Sequence, residues 1–317
     1  MVFRTSVKDP PHFPGRIAIA ILGVLVLLFP LAACSPKRYA AGKLADALAG
    51  QGRSVGTDDD PDLVRDAAPF QLKLQEGLLE TVPNHRGLLL ATCSGFAQYA
   101  FAFVQQDADE AEAVDVEKAR ALRERARRLY LRATRYGLRG LQAGRPGFAS
   151  RLASDPGAAA AECGLPDAAL LYWTAASWLS AIALSKDRPE TVADLPQPMA
   201  LARRALEVDE SFGKGALQTL WITLAMTRPG SAARNALEAR EHFDRAVALS
   251  GGASAGPFVT LAEAVEVPLQ DRAAFVAALR RALAIDADGH PENRLETLVM
   301  QRRARWLLAR ADELFAD

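Results

Sequence analysis

The sequence predicts an all-α fold, and three observations support this prediction. About one fifth of the 317 residues are alanine, whereas aromatic residues make up 7%, a composition that favours closely packed helices over sheets. Apolar residues recur with helical spacing, in runs separated by clusters of glycine and proline. No hairpin turn flanked by alternating strand-like segments occurs. We therefore expect one compact all-α domain.

The predicted helices follow one another from residue 61 to the C-terminal end. They are Leu63–Glu80, Leu88–Gln106, Val116–Ala143, Asp167–Leu184, Met199–Val208, Gly213–Thr227, Ala232–Leu249, Phe258–Val265, Asp271–Ile285 and Glu292–Phe315. Between them lie glycine and proline pairs, such as Pro146-Gly147 and Pro229-Gly230, that end a helix. After Ala33 no apolar segment is expected to reach membrane length without a charge or a helix-breaking residue.

The first 33 residues have the pattern of a secretory signal. Three basic residues precede the apolar run Ile17–Phe29, and Leu31-Ala32-Ala33-Cys34 follows it. This ending is similar to a bacterial lipobox, in which the cysteine receives a diacylglycerol and becomes the new N-terminus. A plain anchor or an ordinary signal is the alternative, but the apolar run of 13 residues is shorter than the ~20 that span a bilayer.

The domain organisation follows from this pattern. Residues 1–33 are predicted to be a lipoprotein signal peptide, residues 34–60 an acylated Cys34 with a short helix or tether, and residues 61–317 the folded domain. Acyl chains on Cys34 would hold the protein on the periplasmic face of a bacterial membrane. Ser35 follows the cysteine, where an aspartate would suggest retention in the inner membrane. The outer membrane is therefore the expected location.

An internal repeat is visible at the ends of three predicted helices. The segments Arg204–Asp209, Arg245–Ser250 and Arg281–Asp286 share one register with spacings of 41 and 36 residues, and Arg139–Gly144 resembles a degenerate fourth copy. Helix pairs that repeat near 34 residues are typical of tetratricopeptide (TPR) arrays, but the consensus aromatic residues are missing. The prediction is a TPR-like arrangement, with coincidence in an alanine-rich bundle as the alternative.

The sequence excludes several classes of function. With 38 basic and 38 acidic residues, the chain lacks the basic excess of a general nucleic-acid binder. No metal-binding spacing, phosphate-binding glycine loop or catalytic elbow occurs, so we expect no metal, no cofactor, no catalytic residues and no enzymatic activity. Cys93 and Cys163 could pair in an oxidising compartment or remain as buried free thiols.

The candidate ligand-binding residues are aromatic and amide side chains within predicted helices. Such side chains line apolar pockets and hold the polar end of a ligand. The candidates are Tyr99, Tyr172, Trp173, Trp178, Trp221, Gln98 and Gln218. Packing in the core is the alternative interpretation for each aromatic residue.

Most of the chain from Gly87 to Phe315 resembles one known family. The matching stretches are Gly87–Gln106 (GLLLATCSGFAQYAFAFVQQ), Ala126–Leu141, Ala168–Leu195, Ala202–Gly215, Ala239–Glu266 and Gln270–Phe315, which ends in PENRLETLVMQRRARWLLARADELF. These stretches are similar to the T component of TRAP-type transport systems, the TatT family of periplasmic lipoproteins. One departure is Gln218-Thr219, where relatives usually carry His-Glu.

The resemblance implies a non-catalytic, TPR-like subunit with a central ligand pore, forming a homo-oligomer. It also implies association with the substrate-binding P subunit of a TRAP system and the handling of a hydrophobic or organic-acid ligand. A lipid-anchored helical-repeat scaffold for envelope protein assembly is the rival interpretation. Such a scaffold would have the same anchor and repeats but no pore through the molecule.

Overall fold

Side-chain caps set the starts of several helices. The computed structural model describes residues 1–2, 36–50 and 55–316 of the chain. Asp60, Asp115 and Asp271 each accept hydrogen bonds from backbone N–H groups in the first turn of the following helix, with N···O distances of 2.9 to 3.0 Å. The first N–H groups of a helix have no partner within the helix. These aspartates therefore fix where the helices begin.

All regular elements in the described ranges are helical, which confirms the all-α class. The helices are α1 (Pro36–Ala49), α2 (Pro61–Thr81), α3 (Arg86–Ala111), α4 (Val116–Gln142), α5 (Phe148–Ser154), α6 (Pro156–Ala161), α7 (Ala168–Ala183), α8 (Pro189–Val192), α9 (Pro196–Val208), α10 (Ala216–Met226), α11 (Ala232–Ser250), α12 (256–269), α13 (Arg272–Leu283), α14 (Arg294–Ala309) and α15 (Ala311–Leu314). Helices α3 and α12 each contain one π-helical segment, Ala100–Gln105 and Ala262–Glu266.

The structure adds helices where the sequence predicted loops. Helices α5 and α6 are too short to show a periodic pattern, and Asp155 separates them by ending α5 and capping α6. In the segment predicted as a short helix or tether, α1 packs Ala45 and Leu48 against Leu79, Leu88 and Leu89. Cys34 and residues 3–33 of the predicted signal lie outside the described residues.

Consecutive helices pack on one another, and the last long helix returns to the first ones. Helix α3 packs on α4, α4 on α7, α7 on α9, α10 on α11, α12 on α13 and α13 on α14, which also contacts α2. Arg302 of α14 donates to Asp107 of α3 at 3.0 Å. The array of helices therefore closes on itself through α14.

The predicted repeat register has a structural counterpart. The alanines that follow the three repeat arginines, Ala205, Ala246 and Ala282, are all fully buried. In the degenerate copy Gly140 replaces this alanine, and a Cβ there would lie 2.6 Å from Leu170 Cδ2. The register thus marks a buried small residue in each of the four copies.

Helix α3 corrects one expectation from the sequence. By length and composition alone it could cross a membrane, since an 18-residue window has a mean hydropathy of 1.5. Half of that window is buried within the protein, and α3 packs against α1, α2 and α4. Its apolar character is therefore accounted for by its place in the core, although the expectation that no such segment follows Ala33 is wrong.

Candidate ligand-binding site

Helix α7 divides its aromatic residues between the core and a less buried face. Trp178 is 7% exposed and belongs to the core cluster that joins α7 to α9 and α10. Tyr172 and Trp173 are only partly buried, and their rings meet edge to face with centroids 4.9 Å apart. Phe212, in the turn before α10, lies 5.3 Å from the Tyr172 ring. Three partly buried rings therefore form a group beside α7.

The charge of a carboxyl group from a distant part of the chain acts on the Tyr172 phenol. Glu296, in the first turn of α14, accepts hydrogen bonds from the backbone N–H of Gly256 at 3.0 Å and from Ser254 Oγ at 3.2 Å. A Cβ on Gly256 would lie 2.8 Å from the carboxylate. The absence of a side chain at residue 256 therefore allows this approach.

The Glu296 carboxyl group is partly desolvated, although the residue also has surface in contact with solvent. Desolvation by the surrounding protein raises its pKa to about 7, and the hydrogen bonds from Ser254 and Gly256 oppose this shift. The Glu296 side chain still has exposed surface. Both facts fit a carboxyl group that protein atoms surround on one side and that solvent still reaches on the other.

Tyr172 is the group that links the rings to this carboxyl group. Burial, and to a smaller extent the charge of Glu296, together raise the pKa of Tyr172 to about 12. The phenol therefore stays neutral and can act as a hydrogen-bond donor. We name Tyr172, Trp173, Phe212 and Glu296 the interior cluster. Its rings offer apolar contact, while the phenol and the carboxyl group offer polar contact to one end of a ligand.

Comparison with known proteins identifies the family of this chain. The sequence model of the TRAP transporter T-component family matches residues 57–315. The chain belongs to this family. A protein of Treponema pallidum (strain Nichols), described as uncharacterized, is 32% identical over 307 residues, which cover 90% of this chain and 94% of that protein. T components are accessory subunits of TRAP transport systems, so the resemblance seen in the sequence is confirmed.

Gln218 of this T component has protein partners for both ends of its amide. Its Oε1 lies 2.5 Å from His242 Nδ1, and its Nε2 donates to Glu210 Oε1 at 2.9 Å. Burial lowers the pKa of His242 and favours the neutral imidazole. Trp221 lies beside this imidazole with centroids 5.8 Å apart, and its buried Nε1 has no acceptor among the described residues.

The remaining candidates lie on α3 of the T component. Tyr99 is 9% exposed, packs against Phe103, and accepts a hydrogen bond from Arg125 at 3.4 Å. Gln98 is exposed. Tyr99 belongs to a core cluster against which Trp173 also packs. Tyr99 is therefore a core residue whose cluster borders Trp173, whereas Gln98 is a surface residue.

Both cysteines of the described domain are buried free thiols, as one of the two sequence alternatives expects. Burial raises the pKa of Cys93 to about 12 and that of Cys163 to about 11. The thiolate is the reactive form, so these cysteines are unreactive near neutral pH. Within residues 36–50 and 55–316 no group of three or more His, Cys, Asp or Glu side chains could hold a metal ion.

Sequence reasoning missed two members of the interior cluster. Phe212 follows a repeat segment, and its position after the helix end was its only signal in the sequence. Glu296 resembles an ordinary first-turn acid that stabilises a helix N-terminus. Its proximity to Tyr172, 124 residues earlier in the chain, depends on how α14 packs and has no signal in the sequence.

Proposed function

We propose that this T component is a non-catalytic lipoprotein on the periplasmic face of the membrane that associates with the substrate-binding P subunit of a TRAP system. In this proposal it handles a hydrophobic or organic-acid ligand within the interior cluster. The observation that carries the ligand proposal is the juxtaposition of three partly buried rings with a desolvated but accessible carboxyl group. Family membership supports the transport role.

The proposed architecture is a TPR-like superhelix around a pore. Consecutive packing of the helices and the buried small residue in each repeat copy support it. The interior cluster draws residues from α7, from the turn before α10 and from α14, as a site inside such an array would. Homo-oligomer formation is proposed from the family resemblance.

The proposed anchor is an acylated Cys34 in the outer membrane. Only Ser35 lies between this cysteine and the first residue of α1. Helix α1 is itself packed against α3, so acylation would hold the folded domain close to the membrane surface. We expect a Cys34→Ala substitution to abolish palmitate labelling and to leave the signal segment attached. Radiolabel in the variant equal to that in the wild type would contradict the proposal.

The P-subunit proposal is tested with the full-length protein in nanodiscs and the TRAP-type substrate-binding protein from the same genome. We expect direct association in sedimentation velocity, together with a co-purified small molecule detected by native mass spectrometry. A Trp173→Ala substitution should reduce the amount of this molecule while leaving the P-subunit association intact.

The matched control is Trp306→Ala, because Trp306 lies between Arg303 and Arg310 and outside the interior cluster. It should retain the ligand. A folded wild-type protein that shows no association with the P protein would overturn the transport role and favour the scaffold interpretation. Equal ligand loss in both tryptophan variants would overturn the interior cluster as the site.

A further inference from the structure

A cavity lies at the contact where α14 closes the helical array. It has a volume of about 490 Å³ and we name it the seam pocket. Its lining comes from α2, from the π-helical segment of α3 and from α14: Pro61, Asp62, Arg65, Ala102, Phe103, Leu298, Val299, Arg302 and Arg305. Its volume is within the ~300–1,000 Å³ range of small-molecule sites.

The seam pocket is distinct from the interior cluster. Residues Leu298, Arg302 and Arg305 lie on one face of α14, because spacings of three and four residues return to the same side of a helix. Glu296 is two residues from Leu298, which places it about 200° around the helix axis. Val299, three residues after Glu296, also lines the seam pocket, so the two sites are adjacent on α14 but have no residue in common.

The inner wall of the seam pocket is apolar. Phe103 and Val299 are 6% and 7% exposed, and Ala102 and Leu298 complete this wall. Phe103 and Ala102 come from the π-helical segment Ala100–Gln105. Such segments are rare and occur frequently at functional sites. The wall would offer a small apolar surface to a short hydrocarbon chain, beside the Arg65 guanidinium that lies 5.3 Å from the centroid of the Phe103 ring.

The polar rim of the seam pocket has more free donors than acceptors. Arg65 and Arg302 both donate to Asp107, at 2.6 to 3.1 Å, and Arg302 also donates to Glu110 at 2.7 Å, so these carboxylates are already paired. Arg65 Nε is buried, has no hydrogen-bond partner in the described ranges, and lies 3.8 Å from Asp62 Oδ1. The side chain of Asp62 is 93% exposed and extends into solvent.

Arg305 is the group that gives the rim its specificity. Its side chain is exposed, and within residues 36–50 and 55–316 it has neither an ion pair nor a hydrogen bond. A guanidinium presents five N–H donors in a planar fork that matches the oxygens of a carboxylate or a phosphate. We propose that the seam pocket binds a small amphiphilic anion, with its charged head on Arg305 and its hydrocarbon tail on Phe103 and Val299.

The binding test uses the full-length protein in nanodiscs of zwitterionic lipid, with empty nanodiscs as the background. Decanoate and decyl phosphate are titrated by calorimetry at pH 8, and decanol serves as the neutral analogue. We expect both anions to bind and decanol to bind more weakly. An Arg305→Gln substitution should weaken anion binding about tenfold, since a charge-assisted pair is lost.

Two further variants keep this test specific. Arg280→Gln is the matched control, because Arg280 is an exposed arginine on α13 and does not line the seam pocket. The Arg280→Gln variant should bind both anions with the affinity of the wild type. Ala102→Leu should weaken binding by filling the cavity while leaving Arg305 in place. Equal affinities of the Arg305 and Arg280 variants, or no binding above background at about 1 mM anion, would overturn the proposal.

Competition identifies the source of the anion. If phosphatidylglycerol in the nanodiscs displaces decanoate, the natural ligand is an anionic membrane lipid. If it does not, the ligand is a free single-chain anion taken up from solution. P-subunit association does not enter this test, so the seam pocket and the proposed transport role can fail independently.

Discussion

Trp173 and Trp178 are five residues apart on α7, yet their surroundings differ. Trp178 is almost completely enclosed by the core, whereas Trp173 is partly accessible beside Tyr172. The free-energy cost of removing an aromatic ring depends on how completely neighbouring atoms surround it. The two tryptophans can therefore be distinguished by stability measurements.

We expect Trp178→Ala to lower the free energy of unfolding by about 3–5 kcal/mol, because it leaves a cavity in the core. Trp173→Ala should cost roughly half of this value, because solvent already reaches part of its ring. Chemical denaturation followed by circular dichroism measures both costs. Equal costs for the two variants would place Trp173 in the core and remove it from the interior cluster.

Glu296 makes the stability of the protein depend on pH. Its folded-state pKa is about 7, above the ordinary value of 4.5. The folded state therefore favours the protonated form, and this contribution is complete below pH 4.5 and is lost as the pH rises through 7. We expect the wild type to lose about 1 kcal/mol across this window relative to Glu296→Gln, a value reduced by solvent access to the side chain.

Denaturation at pH 4.5, 6 and 7.5 checks this expectation. Glu80→Gln is the control, because Glu80 is an exposed acid on α2, and its pH profile should parallel that of the wild type. A Glu296→Gln profile parallel to the wild type would show that this carboxyl group is fully hydrated.

At the scale of elements, glycines allow α4 and α7 to approach each other closely. A Cβ on Gly137 would lie 2.1 Å from Thr174 Oγ1 and 3.0 Å from Cys93 Sγ. Both of these atoms belong to short side chains that cannot swing far away. The helices themselves would therefore have to move apart. Since α7 carries Tyr172 and Trp173, this helix contact also positions the interior cluster.

We expect Gly137→Ala to destabilise the protein by about 1–3 kcal/mol through overpacking. The matched control is Gly77→Ala in α2, where no atom lies within 4 Å of the added Cβ. That substitution should stabilise the protein by about 0.5–1 kcal/mol, because alanine is the better helix former. Thermal unfolding of both variants tests the pair, and a stabilising Gly137→Ala would show that α4 and α7 separate easily.

At the scale of the whole molecule, α14 holds the two ends of the helical array together. Arg303 donates to Glu263 of α12 at 2.6 and 2.7 Å and to Asp109 of α3 at 3.0 Å. Its side chain is only 11% exposed. One guanidinium therefore connects three helices that are far apart in sequence.

We expect Arg303→Met to lower the free energy of unfolding by about 3 kcal/mol, because it leaves two partly buried carboxylates without this partner. Arg120→Met is the control, since the pair of Arg120 with Glu117 is largely exposed and should contribute less than about 0.5 kcal/mol. Urea denaturation compares the two variants. Equal effects would show that the closure of the array does not depend on this arginine.

Local interactions explain why most helices could be predicted from the sequence. Asp60, Asp115 and Asp271 cap their own helices, and the glycine and proline breaks act within a few residues. The small residue in each repeat copy is also a local signal, and Ala205 and Ala246 are fully buried. These features depend on neighbouring residues, so the sequence alone determined the fold class, the helix order and the family.

The tertiary structure decided which side chains meet. The sequence placed Trp173 and Trp178 in one candidate set, but their burial depends on which helices cover each face of α7. The charge of Glu296 acts on Tyr172 of α7, and Arg305 lines the seam pocket, only because α14 returns to the beginning of the array. Desolvation and ion pairing arise from contacts between residues distant in the chain, and helical periodicity carries no information about such contacts.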